Sequence, residues 1–335
     1  MKIKTLPFII TLMVSMLMTI TANSWFTAWI GLEINMMSMI PLFILNKDQE
    51  TPEPAIKYFL IQALGSSSMM FSILLMKMQS FNSVTVIQLM LSSSLLLKSG
   101  VSPLHFWFPS VIEDSSWMTC TLLMTIQKVA PITLLISTLP SSLILTLTTL
   151  SVAVGSLGGL NQTSLKKMLA YSSITHLGWI LMSLHLNNYL FMLYNLSYWT
   201  LVLSIILPLK KLNITSLNQV INLNLNMVMK AILLFNFMSM GGLPPLMGFM
   251  PKLMVIQSMV QNNMSLLASL MIIMTLLTLF YYIKIVVTIL INSYPFNKTI
   301  NTSTSTNSTS SVMTIMLMIP IIGLFPLTSL LFYTL

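Results

Sequence analysis

Apolar residues in this chain run in long uninterrupted blocks, separated by short polar gaps that hold most of the charge. Blocks of about 18 residues or more are what a helix needs to cross a bilayer. The pattern predicts about eleven spans: Leu6–Thr21, Trp25–Leu45, Tyr58–Met76, Val84–Pro109, Trp117–Thr138, Leu143–Leu160, Met168–Leu186, Tyr189–Leu209, Met227–Val260, Met264–Ile291 and Val312–Tyr333. Only "NSYPFNKTINTSTSTNSTSS", residues Asn292 to Ser311, is both polar and long enough to form an extended loop. The expected fold is therefore all-α, a polytopic membrane protein. The opening "MKIKTLPFIITLMVSMLMTI" has the basic-then-apolar form of a secretory signal, but without a convincing cleavage site it reads as an uncleaved first helix.

Composition sharpens this picture. Of 335 residues, 56% are hydrophobic and 6% charged, against roughly 25% charged in soluble domains. All fifteen basic residues are lysines. They are scattered, without an aromatic-basic groove, so the net charge of +9 does not point to nucleic acid. Cys120 is the single cysteine, which excludes an internal disulfide and cysteine-based metal or iron–sulfur sites. No phosphate loop or dinucleotide fingerprint occurs, and "GSLGGL" at Gly155–Leu160 reads as small-residue helix packing.

The lysines also orient the spans. With eleven crossings, one side collects Lys2, Lys4, Lys47, Lys57, Lys166, Lys167, Lys210, Lys211, Lys230 and Lys298, and the other only Lys77. The positive-inside rule places the N-terminus on the lysine-rich side and the C-terminus opposite. Losing or adding one span midway would scramble that separation.

Two gaps in the apolar pattern lie inside spans rather than between them. "KSGVSPLHFWFPS" (Lys98–Ser110) and "MGGLPPLMGFMPK" (Met240–Lys252) superimpose at an offset of 142 residues. Gly100 then matches Gly242, Pro103 matches Pro245, and Pro109 matches Pro251. Proline removes a backbone donor, and irregular backbone at membrane depth survives only where protein or water covers it. The expectation is a pair of broken helices, at Gly100 and Pro103 and at Gly241, Gly242, Pro244 and Pro245. They lie five spans apart and so run in opposite directions, the arrangement of an inverted repeat.

Ionisable groups inside spans are expensive and default to function. Glu33 lies about eight residues into its span, roughly 12 Å deep at 1.5 Å per residue. Lys98 stands just before the first break, Lys128 in the middle of "LLMTIQKVAPITLL", and Lys252 just after the second break. Reading them as one structural ion pair plus two snorkelling lysines fits one or two of these residues better than four. His105 and His176 are candidates for a proton relay because histidine titrates near neutrality. Lys77 and Lys284 read as helix-end lysines reaching the surface, His185 as structural, and Glu113–Asp114 as an interfacial acidic pair.

At these residues the sequence resembles a known family. "WIGLEINMMSMIPL", "LLLKSGVSPLHFWFPSVIE", "IQKVAPI", "LKKMLAYSSITHLGW" and "MGGLPPLMGFMPKL" occur in order and together resemble the NADH dehydrogenase subunit 2 family of mitochondrial respiratory complex I, in its animal form. That family belongs to the antiporter-like subunits. The resemblance covers essentially the whole chain and implies a single transmembrane domain over residues 1–335, with inverted five-helix repeats near 1–138 and 143–291 and a final helix near 312–333. It further implies proton-translocation roles for Glu33, Lys98, Lys128, Lys252 and His176. NADH, FMN, the iron–sulfur clusters and ubiquinone would be bound by other subunits, with no cofactor or metal in this chain. The implied partners are other membrane-arm and accessory subunits and phospholipids, so the chain would not act as a stand-alone monomer. The implied location is the mitochondrial inner membrane, with the N-terminus in the matrix and the C-terminus in the intermembrane space.

Energetics permit that role. Burial disfavours the charged form of a lysine, and a nearby carboxylate restores it. A swing of about 4 kcal/mol between such settings works against roughly 180 mV of membrane potential. Two other classes stay open on the residues alone: a stand-alone cation/proton antiporter, and a passive scaffold that tolerates loss of its deep lysines.

Overall fold

The computed structural model describes residues 5–45, 52–78, 84–222 and 227–291. The predicted final helix at 312–333, the polar loop before it, and Lys2, Lys4, Lys47 and Lys298 lie outside the described residues. Regular structure among the described residues is helical, apart from one isolated antiparallel bridge between Ser164 and Ser216.

In chain order the helices are α1 (Leu6–Ile20), α2 (Trp25–Leu45), α3 (Glu53–Lys77), α4 (Val84–Ser99), α5 (Trp107–Glu113), α6 (Trp117–Met124) and α7 (Ile126–Thr138). They are followed by α8 (Ser141–Gly159), α9 (Leu165–Leu186), α10 (Asn188–Lys211), α11 (Leu217–Asn222), α12 (Met227–Gly241), α13 (Phe249–Gln261) and α14 (Ser265–Ile291). Each predicted span up to Met264–Ile291 is occupied by helix. Six of the described stretches are long and apolar enough to cross a membrane by length and composition.

Three details depart from the pattern. α3 starts at Glu53, five residues ahead of the predicted span, because Pro54 sits in its first turn, where a missing N–H costs nothing. The predicted span Trp117–Thr138 divides at Thr125, whose φ of −110° and ψ of −81° leave the helical region. A short helix, α11, occupies part of the gap after α10, where no element is predicted from the apolar pattern.

The chain divides into two compact units. The first comprises residues 1–155 and 169–187. Here α1 packs on α2, α3 on α2 and α4, and α7 on α4 and α6. Small residues allow the close approaches: a methyl group built at Gly155 would lie 2.7 Å from the Thr175 backbone nitrogen, so α8 and α9 meet backbone to backbone. Many serines and threonines in these apolar helices satisfy their hydroxyls by donating to a carbonyl one turn back, as Ser94 does to Leu91 at 2.6 Å. Lys57 pairs with Glu53 at 2.6 Å and with Asp114 at 3.4 Å. This tie joins two gaps that the lysine distribution puts on one side.

The second unit comprises residues 156–168 and 188–335. Its described helices pack α12 against α10 and α14, and α13 against α10 and α14. Phe237, Tyr194, Tyr198 and Tyr282 are among its largest fully buried side chains. Leu165 N–H donates to Thr215 O at 3.0 Å and Leu217 N–H to Thr163 O at 3.1 Å. Side chains such as Leu276 and Phe280 on α14 stay outside this packing, 58% and 61% exposed.

Candidate functional site

Both Gly-Pro clusters break their helices, and with the same cap. α4 ends at Gly100, φ +71°, and α12 at Gly242, φ +83°, a backbone region that glycine enters without steric cost. Val101 N–H returns to Leu96 O at 3.3 Å, and Leu243 N–H to Met238 O at 3.4 Å. Those donors and acceptors are themselves 142 residues apart, so the echo in the sequence is an echo in hydrogen bonding.

A helix leaves its last four carbonyls without intrahelical partners, and inside a membrane each must be satisfied. At the first break, Leu96 O takes the N–H groups of Gly100 and Val101. Leu97 O accepts from the Trp107 indole at 3.0 Å, and Lys98 O from the Gln62 amide at 3.3 Å. At the second break, Met238 O and Ser239 O take the backbone N–H groups of Leu243 and Gly242, while Gly241 O accepts from Lys252 Nζ at 3.2 Å. The helix C-terminus is the negative pole of the helix dipole, so an ammonium there is favourably placed. Gly242 also gives that lysine its room, since a methyl group at this position would lie 2.8 Å from Lys252 Nζ.

Within the first unit the structure brings Glu33, Lys98 and a set of neutral polar groups together. Lys98 is 6% exposed. Its stem lies along Gly65 of α3, where a built methyl would sit 3.0 Å from Lys98 Cγ. Glu33 acts electrostatically on both Lys98 and Tyr58. The two charges form no direct ion pair: Glu33 Oε2 and Lys98 Nζ are buried without a hydrogen-bonding protein partner. Instead Lys98 lines a small cavity with Asn35, Tyr58, Gln62 and Gln127, open to a water-sized sphere over about 10 Å³, close to what one water needs. Around it Tyr58 Oη donates to Gln127 Oε1 at 3.3 Å and Gln127 Nε2 to Asn35 Oδ1 at 2.9 Å.

Lys128 is 4% exposed. It donates to Ser173 O on α9 at 3.3 Å, and its Nζ stands 4.4 Å from the centroid of the Phe108 ring. His105, on the turn of the first break, is buried with Nδ1 at 3.2 Å from Pro103 O. His176 is buried within α9. Lys252 lies in the other unit, so the structure gathers the candidates into a first-unit group and a second-unit lysine. Lys284 is exposed on α14. Lys77 has its Nζ 5.7 Å from the Phe26 ring.

Several contributors escape the sequence reading. Gln62, Gln127 and Asn35 carry a signal, being uncharged but strongly polar groups inside apolar spans. Gly65, Trp107 and Phe108 carry none that stands out, because their partners lie on other helices or beyond a turn.

Comparisons with known proteins bear on the fold and the family. A family model described as "NADH:quinone oxidoreductase/Mrp antiporter, TM" matches residues 22–278. The protein named NADH-ubiquinone oxidoreductase chain 2 from Anopheles gambiae is 41% identical over 88% of this chain and 89% of its own. The one from Locusta migratoria is 38% identical over 95% of this chain and 94% of its own. Among solved structures, a chain of respiratory complex I from Thermus thermophilus superimposes with a TM-score of 0.79 at 21% identity, covering 95% of this chain and 77% of that one. A chain of the Mrp complex from Dietzia superimposes at 0.73 with 15% identity, over 83% of this chain and 59% of that one. The matched family model and the breadth of these alignments place the chain in the NADH-ubiquinone oxidoreductase chain 2 family of antiporter-like membrane subunits.

Proposed function

We propose that this chain carries one proton pathway of the membrane arm of NADH:ubiquinone oxidoreductase, through Glu33, Lys98, Lys128 and Lys252, with His105 and His176 as relay groups. The observation that carries the reading is the burial of Lys98, Lys128 and Lys252 along apolar helices, two of them at breaks with the same cap, whereas the equally buried Lys166 stands in the first turn of α9. Charges so placed cost several kcal/mol, which makes them functional candidates by default. Lys98 has Glu33 within electrostatic reach, Lys128 an aromatic face and one carbonyl, and Lys252 a helix C-terminus. Three different settings for one kind of charge are what stepwise transfer requires, because each step needs its own balance between desolvation and compensation.

The finer architecture belongs to the same proposal. The two breaks mark inverted five-helix repeats near residues 1–138 and 143–291 in a domain of about eleven spans. The N-terminus faces the matrix and the C-terminus the intermembrane space, in the mitochondrial inner membrane. Redox chemistry occurs in other subunits of the complex, and this chain supplies transport. Neighbouring membrane-arm and accessory subunits and phospholipids cover its apolar faces.

Purification tests the reading against a stand-alone antiporter. The chain should migrate within a large NADH-oxidising assembly and show no cation/proton exchange when reconstituted alone. Robust exchange by the isolated chain would overturn the assignment.

A further inference from the structure

Lys128 has an unusual set of neighbours for a buried ammonium. Its described polar contact is Ser173 O at 3.3 Å, a carbonyl inside α9 that its own helix can also engage. No described ion pair includes it. What stands over it is the Phe108 ring, 4.4 Å from Nζ to centroid, with both residues almost wholly buried. The face of an aromatic ring carries the negative part of its quadrupole, and a cation over it is held most strongly where water is excluded.

The ring is held in place by the first break. Phe108 N–H donates to His105 O at 2.9 Å, and its ring meets the Trp107 indole edge to face at 5.6 Å. Trp107 is anchored in turn on Leu97 O, the last turn of α4. Gly100, at φ +71°, makes the turn that leads the chain into this segment. The turn that separates α4 from α5 thus fixes the ring that faces the lysine of α7.

We propose that Phe108 is a positioning residue for proton transfer at Lys128: its ring face stabilises the ammonium form, so the geometry of the first break controls how well Lys128 holds its charge. This rests on the proton-pathway reading above and adds a residue that carries no proton itself. It also gives the break a task at a distance, since Lys98 lies in the last turn before it and Lys128 faces the first turn after it.

The test uses the intact complex in proteoliposomes, with NADH-driven acidification normalised to assembled enzyme. Phe108→Tyr and Phe108→Trp keep a ring, while Phe108→Leu and Phe108→Met keep apolar volume without one. Lys128→Met removes the proton carrier. Loss of the ring should slow transport about threefold to thirtyfold, the range of a partly to fully desolvated cation–ring contact. At least one ring-bearing variant should stay near wild type. Should Phe108→Leu fail to assemble, Phe108→Met is read by the same criterion. Equal transport in ring-bearing and ringless variants overturns the proposal while a defective Lys128→Met keeps the pathway. Normal transport in Lys128→Met overturns both.

Discussion

Gly242→Ala separates packing from function at the second break, because two costs meet at one carbon. At φ +83° an L-residue pays for its Cβ against the carbonyl, about 1–2 kcal/mol. The added methyl would also lie 2.8 Å from Lys252 Nζ and 3.3 Å from its Cδ, so the lysine head must shift against its hydrogen bond to the Gly241 carbonyl. Complete loss of a hydrogen bond made by a charged donor costs about 1.5–3 kcal/mol, so the two costs together reach at most roughly 5 kcal/mol. Gly100→Ala provides the control. Its φ is +71°, so the backbone cost is similar, but its nearest neighbours stand at 3.5 Å, an ordinary contact. Both variants would be built into the complex and compared by inactivation half-life on heating and by NADH-driven proton transport. Gly100→Ala should shorten the half-life modestly and keep most transport; Gly242→Ala should shorten it more and lose transport. Equal effects of the two on transport would refute the idea that Gly242 exists to seat Lys252.

Two other substitutions probe the first unit. Trp107→Phe keeps an aromatic ring but leaves Leu97 O without its indole donor, and should destabilise the assembled subunit by about 1–3 kcal/mol, read as faster heat inactivation; an unchanged half-life would mean that another donor serves that carbonyl. Glu33→Gln keeps the shape and removes the charge that reaches Lys98 and Tyr58. It should impair pumping-coupled NADH oxidation more than the amount of assembled complex, and a matching loss of assembly would make Glu33 structural.

The helices were legible because a bilayer imposes length and apolarity on anything that crosses it, and the charged residues because membranes make charge conspicuous. Gly100 and Gly242 were legible for a different reason, the positive φ that ends a helix. The remaining features depend on contacts that a linear pattern does not encode. Gln62 finds the Lys98 carbonyl across 36 residues, and Gln127 finds Asn35 across 92. The division at Thr125 follows no glycine or proline at that position. The Glu33–Lys98 relation shows the limit most clearly. Charge and depth single out each residue, but nothing in the linear pattern shows that Asn35, Gln62, Tyr58 and Gln127 line one cavity with Lys98.

The account turns on lysines that carry protons rather than merely fill space, and Lys252 isolates that claim. It is buried, and its Nζ donates to the carbonyl at which α12 stops. Lys252→Met keeps the apolar stem and removes the proton carrier. The decisive measurement is NADH-driven proton uptake or release by reconstituted complex bearing this one change, beside NADH oxidation by the same preparation with an artificial electron acceptor. The account predicts an assembled complex with intact NADH oxidation and sharply reduced proton transport. Undiminished transport by a fully assembled Lys252→Met complex would contradict it.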